Sequence, residues 1–278
     1  MNRDITFGQY YPGDSFVHKM DPRMKLILVL VFITAVFLVK SLYSYIAIAL
    51  FVIVAIWGSH VPAKSVLKSA KGILVVLILT ASLNIFFYSG GERVLWHWWK
   101  ISISVEGLFF ALGMALRLIF LVLGSTLLTL TTTPMNLTDG MESLMKPLKA
   151  IRFPVHDVAI IMSIALRFIP ILIEEVDKIM LAQKARGADF ESGGLIKRAR
   201  ALLPVLIPLF VSAFRRADEL ALALDARCYN ATPNRTKYKV LRFGWRDAAG
   251  GIVSVFLIGL IIAINYSFWG LFGITWTV

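Results

Sequence analysis

Five apolar segments, Leu26 to Val39, Leu42 to Trp57, Ile73 to Tyr88, Gly107 to about Thr132 and Ala248 to about Trp269, restrict what this chain can become. A helix needs about 20 mostly apolar residues to cross the hydrocarbon core of a bilayer, and these segments approach or reach that length. Lipid offers no partner to an open backbone amide, so such segments span as helices. With 58% of its 278 residues apolar and a mean hydropathy of +0.75, the chain falls outside the range of soluble domains. The expected architecture is an all-α polytopic membrane protein with about five transmembrane helices. Only Lys40 and Ser41 separate the first two segments, which predicts a tight transmembrane hairpin whose ends borrow polar flanks.

Residues 1 to 25 are polar and contain no apolar signal-peptide core, so the first span is expected to be the insertion signal and to leave the N-terminus inside the cell. Lys and Arg accumulate on the cytoplasmic side of membrane proteins. On this topology Arg3, Lys19, Arg23, Lys25, Lys64, Lys68 and Lys71 are cytoplasmic, whereas Lys40, Arg93, Lys100 and the C-terminus lie outside. Most of the 29 basic residues, and with them the net charge of +12, fall between Pro134 and Arg246, which should therefore be cytoplasmic as well. Anionic headgroups of the inner leaflet account for such a bias. Basic and aromatic residues are not interleaved as in a nucleic-acid surface, so the expected partner is the lipid bilayer and no nucleic acid.

The same stretch changes character, because charges and Pro147, Pro154, Pro170, Pro204 and Pro208 interrupt its apolar residues. That is the composition of amphipathic helices. Asn136 or Thr138 is expected to cap a short helix ending near Pro147. A long helix follows from about Val155 to Lys184 with a kink at Pro170, and another from about Leu195 to Ala226 bent near Pro204 and Pro208. Reading Val155 to Ile173 and Ala201 to Phe214 as two more spans would put Lys184, Arg186, Lys197, Arg198 and Arg200 outside, against the charge rule. Helices lying along or dipping into the inner face are preferred. Three parts result: 1–133 with the N-terminal segment and the first four spans, 134–246 as a cytoplasmic helical domain, and 247–278 with the last span.

Cys228 is the single cysteine, which excludes an intramolecular disulfide and a multi-cysteine metal site. Trp96, Trp98 and Trp99 in the outer loop, with Trp269 and Trp276, read as an interfacial aromatic belt.

Two stretches of the central region repeat one pattern. In DKIMLAQKARG (Asp177 to Gly187) and DELALALDARC (Asp218 to Cys228) an Asp precedes an Arg by nine residues, and Ala185-Arg186 aligns with Ala226-Arg227. One copy has a plain structural reading, since Gly187 suits the position after a helix and a cation in the last turn gains about 0.3–1 kcal/mol from the helix dipole. The second copy carries Cys228 where that reading calls for glycine. Small residues flanking an Arg let a helix end approach another protein while the guanidinium forks onto carboxylates or carbonyls.

These motifs resemble those of the transmembrane T component of energy-coupling factor (ECF) transporters, ABC-related importers of vitamins and metals. In that family two Ala-Arg-X motifs end two cytoplasmic coupling helices, and each Arg enters a groove on one of two ATPase subunits. The resemblance implies that Arg186 and Arg227 are the anchors and Ala185, Gly187, Ala226 and Cys228 their small neighbours. The family's second motif often ends in Gly, so Cys228 departs at a position that sets the local backbone. The opening stretch, Gly8 to Ser15 and His18 through Asp21-Pro22-Arg23 to Lys25, also resembles the family, and the likeness runs over essentially the full length. It further implies a bacterial cell membrane, two ABC-type ATPases that hold ATP and Mg, a separate substrate-binding (S) membrane subunit that selects the cargo, and no cofactor, metal or catalytic residue on this chain. In residue terms Asp21 is a helix N-cap, Pro22 the first helical residue, and Arg23 and Lys25 sit at the headgroups. His18 reads as a hydrogen-bonded loop residue, since no second His or Cys stands at ligand spacing.

Arg117 lies inside the fourth span, where a charge is costly and functional readings include contact with substrate or a partner. The structural reading pairs it with Glu106 or a backbone carbonyl, or lets it snorkel. Ala111, Ala115, Gly124 and Ser125 offer surfaces for close helix packing. The triplets at Asn136, Asn230 and Asn234 match a glycosylation signal but fall on the predicted cytoplasmic side. No GxxxxGK[ST], HExxH or GxSxG occurs, so the chain lacks the usual phosphate loop of an ATPase and the commonest hydrolase signatures. The competing class is a membrane-embedded enzyme acting on lipid or isoprenoid phosphates, for which Glu174, Glu175 and Asp177 are the nearest acidic group. At i, i+1 and i+3 they do not share one helix face. A self-sufficient carrier or channel is a third class.

Overall fold

A computed structural model describes residues 10–41, 43–87, 94–98, 101–190, 192, 194–229 and 241–267. They form two compact units, one from 1–155 with 241–278 and the other from 156–240. The first holds α1 (Pro22–Leu38), α2 (Ser44–Ser59), α3 (Ala63–Gly72), α4 (Leu74–Phe87), the hairpin β1 (Val94–Trp98) and β2 (Ile101–Ser104), α5 (Val105–Thr131), α6 (Pro134–Leu144), a 3-10 turn Lys146–Ile151, and α9 (Trp245–Ser267). The second holds α7 (Val155–Ala185) from its second residue onward and α8 (Leu195–Ala226).

The five expected spans appear as α1, α2, α4, α5 and α9. α5, α9 and also α7 are long and apolar enough to cross a membrane, whereas α2 and α4 are shorter apolar helices. At 1.5 Å per residue the 17 residues of α1 and 16 of α2 reach about 25 Å, a few ångströms short of a hydrocarbon core, so their polar flanks carry the remainder. The break in composition at Pro134 does not coincide with the boundary between units. α6 packs on α1, so the chain joins the second unit only after Val155.

Three local features differ from expectation. Thr133, not Asn136 or Thr138, caps α6: its hydroxyl accepts the Asn136 amide at 3.3 Å, Pro134 takes the first helical position, and Thr138 turns its own hydroxyl back to the Pro134 carbonyl. The lysine-bearing link between the second and third spans is helical, as α3. The loop containing Trp96 and Trp98 forms an antiparallel hairpin, while Trp99, Trp269 and Trp276 lie outside the described residues. α7 and α8 both continue through their prolines.

In unit 1, α1 packs against α5, α6 and α9, and α5 also receives α2, α3 and α4. The core gathers Phe32, Ala35 and Val36 of α1, Ile48 and Val52 of α2, Phe120 and Leu123 of α5, and Leu257 and Ile261 of α9. Phe32 stacks on Phe51 and Tyr45 on Phe120, with ring centres 5.7 and 6.1 Å apart. Lipid tails are as apolar as these side chains, so close packing rather than escape from water holds the bundle. Gly124 makes this possible, because a Cβ there would overlap the Phe32 ring.

Candidate functional site

Arg186 and Arg227 each follow the last residue of a long helix, and the backbone beyond them takes the same form twice. At the end of α7 the Gly187 amide donates to the Lys184 carbonyl and the Ala188 amide to the Gln183 carbonyl, both at 3.0 Å. At the end of α8 the Cys228 amide donates to Asp225 at 2.9 Å and the Tyr229 amide to Leu224 at 3.0 Å. This is the pair of bonds that defines a Schellman cap, with Arg in the cap position and a left-handed residue after it. The left-handed residues are Gly187, φ 86°, and Cys228, φ 52°.

The capping account called for glycine where the second copy has Cys228, yet the same cap forms there. Cys228 adopts the left-handed conformation without being glycine, and the hydrogen bonds of the cap together with the exposed setting accommodate it. Capping explains both backbones equally and leaves both guanidinium groups unexplained. Ala185, Arg186, Gly187, Ala226, Arg227 and Cys228 are all exposed, and among the described residues neither Arg side chain has a hydrogen-bond or ion-pair partner.

The second unit ties α7 and α8 to each other through side chains. Arg216 of α8 donates to Glu175 of α7 at 3.3 Å. Pro208 has no amide, so the Pro204 carbonyl one turn earlier lacks its helical donor, and Gln183 reaches it with its side-chain amide at 3.5 Å. Gln183 stands three residues before Arg186, so one Arg-bearing end is linked to the proline-bearing turn of the other helix. Sequence reading treated the prolines only as bends, and an i, i+4 proline pair is the signal for a carbonyl in need of a donor.

The Asp21-Pro22-Arg23 motif belongs to unit 1 and begins α1 as expected. The Asp21 carboxylate accepts the Arg23 amide at 2.9 Å, and Pro22 fills the first turn. Its main partner was missed: Asp247 accepts the Asp21 amide at 2.8 Å with one oxygen and the Gly244 amide at 2.7 Å with the other, capping α9 while gripping the start of α1. Glycine followed three residues later by an acid, before an apolar run, is the signal that would have found it. Arg23 lies 5.8 Å over the Phe243 ring. Lys25 is not at the headgroups: it is buried, and its ammonium donates to the carbonyls of His18 and Thr131 and to the Thr132 hydroxyl at 3.2, 2.9 and 3.2 Å. His18 is the hydrogen-bonded loop residue expected; its Nε2 donates to the Tyr11 carbonyl at 2.9 Å, which leaves Nδ1 to accept from Ser15 at 2.7 Å.

Arg117 takes the structural role. One nitrogen donates to the Val39 carbonyl at 3.2 Å, at the open end of α1, with the Phe37 ring 5.7 Å away. Asn265 of α9 closes the same turn, donating to Leu38 at 2.9 Å and accepting from the Ser44 hydroxyl at 3.0 Å. An apolar cavity of about 320 Å³ lies among α1, α2, α5 and α9. Lys25, Thr131 and Ser254 supply its polar lining, and the Lys25 donors are already engaged, so it does not offer convergent groups to a polar substrate. Among the described residues no three of His, Cys, Asp and Glu come together as metal ligands.

The fold and these helix ends define a helical membrane protein with two equivalent, exposed Arg-ended arms. Comparison with known proteins then gives the family. Residues 13–238 match the cobalt transport protein (CbiQ) family. Energy-coupling factor transporter transmembrane proteins from Ruminiclostridium cellulolyticum and Clostridium kluyveri are each 48% identical, over 96% and 97% of this chain and all of theirs. The protein of that name from Bacillus subtilis is 43% identical over 94% of this chain and 98% of its own. The chain belongs to this family of transmembrane transporter components.

Proposed function

We propose that this chain is the membrane scaffold of an ATP-driven ECF importer, and that Arg186 and Arg227 are its two anchors on a pair of ABC-type ATPases. The observation that carries the reading is the same cap at both helix ends, which presents two guanidinium groups, without a partner among the described residues, beside small residues. A groove that supplied carboxylates or carbonyls would receive such a group as a bidentate fork. ATP and Mg would sit on the partners, and the chain itself would be non-catalytic. Closure of the ATPase pair would shift α7 and α8 together, because Gln183 and Glu175 tie them, and would reorient a separate substrate-binding membrane subunit that takes up a vitamin or metal ion. The excess of Lys and Arg in residues 134–246 supports a cytoplasmic position for these ends.

Arg186→Ala and Arg227→Ala, singly and together, test the reading in the tagged complex purified from membranes. Removing one partner of a buried interfacial charge pair costs about 2–5 kcal/mol, so each single variant should retain its ATPases poorly and the double variant should lose them along with substrate uptake. Wild-type recovery of the ATPases and unchanged uptake in the double variant would refute the assignment.

A further inference from the structure

α3 takes no part in the paired Arg ends, yet it is sharply two-sided. Lys64, Lys68 and Lys71 recur at i, i+4 and i+7 and so share one face. Val66 points the other way, is 0% exposed and joins the core, holding α3 against α5. The helix contains no Asp or Glu, and among the described residues none of the three ammonium groups has a hydrogen-bond or ion-pair partner. Like charges at this spacing repel, and the helix dipole helps only Lys71 in the last turn. Within the unit the stripe is an uncompensated cost.

The place of α3 in the fold indicates where compensation comes from. It bridges apolar α2, which ends at Ser59, and apolar α4, which begins at Leu74, so its two ends are fixed where these helices leave the hydrocarbon. Trp57, 82% exposed near the end of α2, and Leu67, 59% exposed beside the lysine face, are groups that seat at the boundary between tails and headgroups. We infer that the lysine face of α3 binds the phosphodiester headgroups of anionic phospholipids and fixes the α2–α4 hairpin at the membrane surface. A lysine is a compact charge on a flexible stem, suited to a headgroup that brings negative charge without a fixed orientation. This inference needs only the membrane setting and is independent of the two Arg anchors.

The test uses the full-length protein in nanodiscs of phosphatidylcholine with graded phosphatidylglycerol, and native mass spectrometry to count retained lipid. A lysine near an anionic surface is worth about fivefold in binding. The triple variant Lys64→Gln, Lys68→Gln, Lys71→Gln should therefore hold phosphatidylglycerol up to about a hundredfold more weakly. Replacing the same three by Arg should preserve retention. Wild-type retention in the triple Gln variant, an equal loss in the triple Arg variant, or displacement of the lipid by soluble glycerol phosphate would overturn the assignment. Should the triple Gln variant fail to fold, Lys68→Gln alone, expected at about fivefold, decides the matter.

Discussion

α1 is closed at both ends by side chains from other helices, Asp247 at its start and Arg117 with Asn265 at its finish. α7 and α8 are almost twice as long, yet they are linked by Arg216 to Glu175 and by Gln183 to the Pro204 carbonyl, and both finish in exposed arginines. Along α8 the large side chains of Leu203, Leu206, Ile207, Phe210, Val211 and Phe214 are also exposed. They recur at i, i+3, i+4, i+7, i+8 and i+11, the stripe of a helix built to be covered. The contrast separates two tasks: α1 has both ends closed by side chains of other helices, where lipid can supply none, whereas α7 and α8 end in exposed arginines that, among the described residues, have no partner.

The strongest way to break the comparison is at Asp247. Asp247→Ala strips the Asp21 and Gly244 amides of their acceptor and removes a negative charge from the vicinity of buried Lys25. Loss of one member of a buried polar set costs about 3–5 kcal/mol, and thermal unfolding in detergent should fall clearly below wild type. The exposed Arg186→Ala change should stay within about 0.5 kcal/mol of wild type in the same assay. Equal melting of the two variants would mean that unit 1 is no more tightly closed than unit 2.

Gly124→Ala is the next largest perturbation. The added methyl meets the Phe32 ring, which is itself held by the stack on Phe51, so α1 and α5 must part. Overpacking of this sort costs about 1–3 kcal/mol. Phe32→Leu in the same chain should return part of the loss, and a double variant no better than the sum of the singles would show that the two residues do not meet.

These sites also mark what the sequence could convey. The spans, the Asp21 cap and the two long central helices rest on signals within a few residues: apolar runs, an N-cap acid before proline, and apolar periodicity. Asp247 is 226 residues from the amide it binds, and no local pattern announces such a pairing even though its own capping spacing is legible. Lys25 looked like a headgroup cation because charge and position are all that a sequence gives; its burial depends on the Thr131 carbonyl and Thr132 hydroxyl at the far end of α5 as well as on the nearby His18 carbonyl. Within the candidate site the repeat around the two arginines was legible, while the geometry at Cys228 was not, because residue type predicts φ only as a preference and a pair of cap hydrogen bonds can override it.

Cys228 and Gly187 sharpen the comparison at its finest scale, since they hold the same position in two caps with opposite chemistry. A left-handed residue with a Cβ costs about 1–2 kcal/mol relative to glycine, part of which returns through the greater freedom of glycine in the unfolded chain. Cys228→Gly should therefore strengthen the end of α8 by up to about 1 kcal/mol. Gly187→Ala should weaken the end of α7 by a similar amount, about 1 kcal/mol, because φ 86° then carries a methyl. Hydrogen exchange at the amides of residues 188 and 229 reads each cap directly, slower at 229 in the first variant and faster at 188 in the second. Shifts of the same sign would mean that the two ends are not equivalent caps, and the argument that two like arms present Arg186 and Arg227 would lose its structural footing.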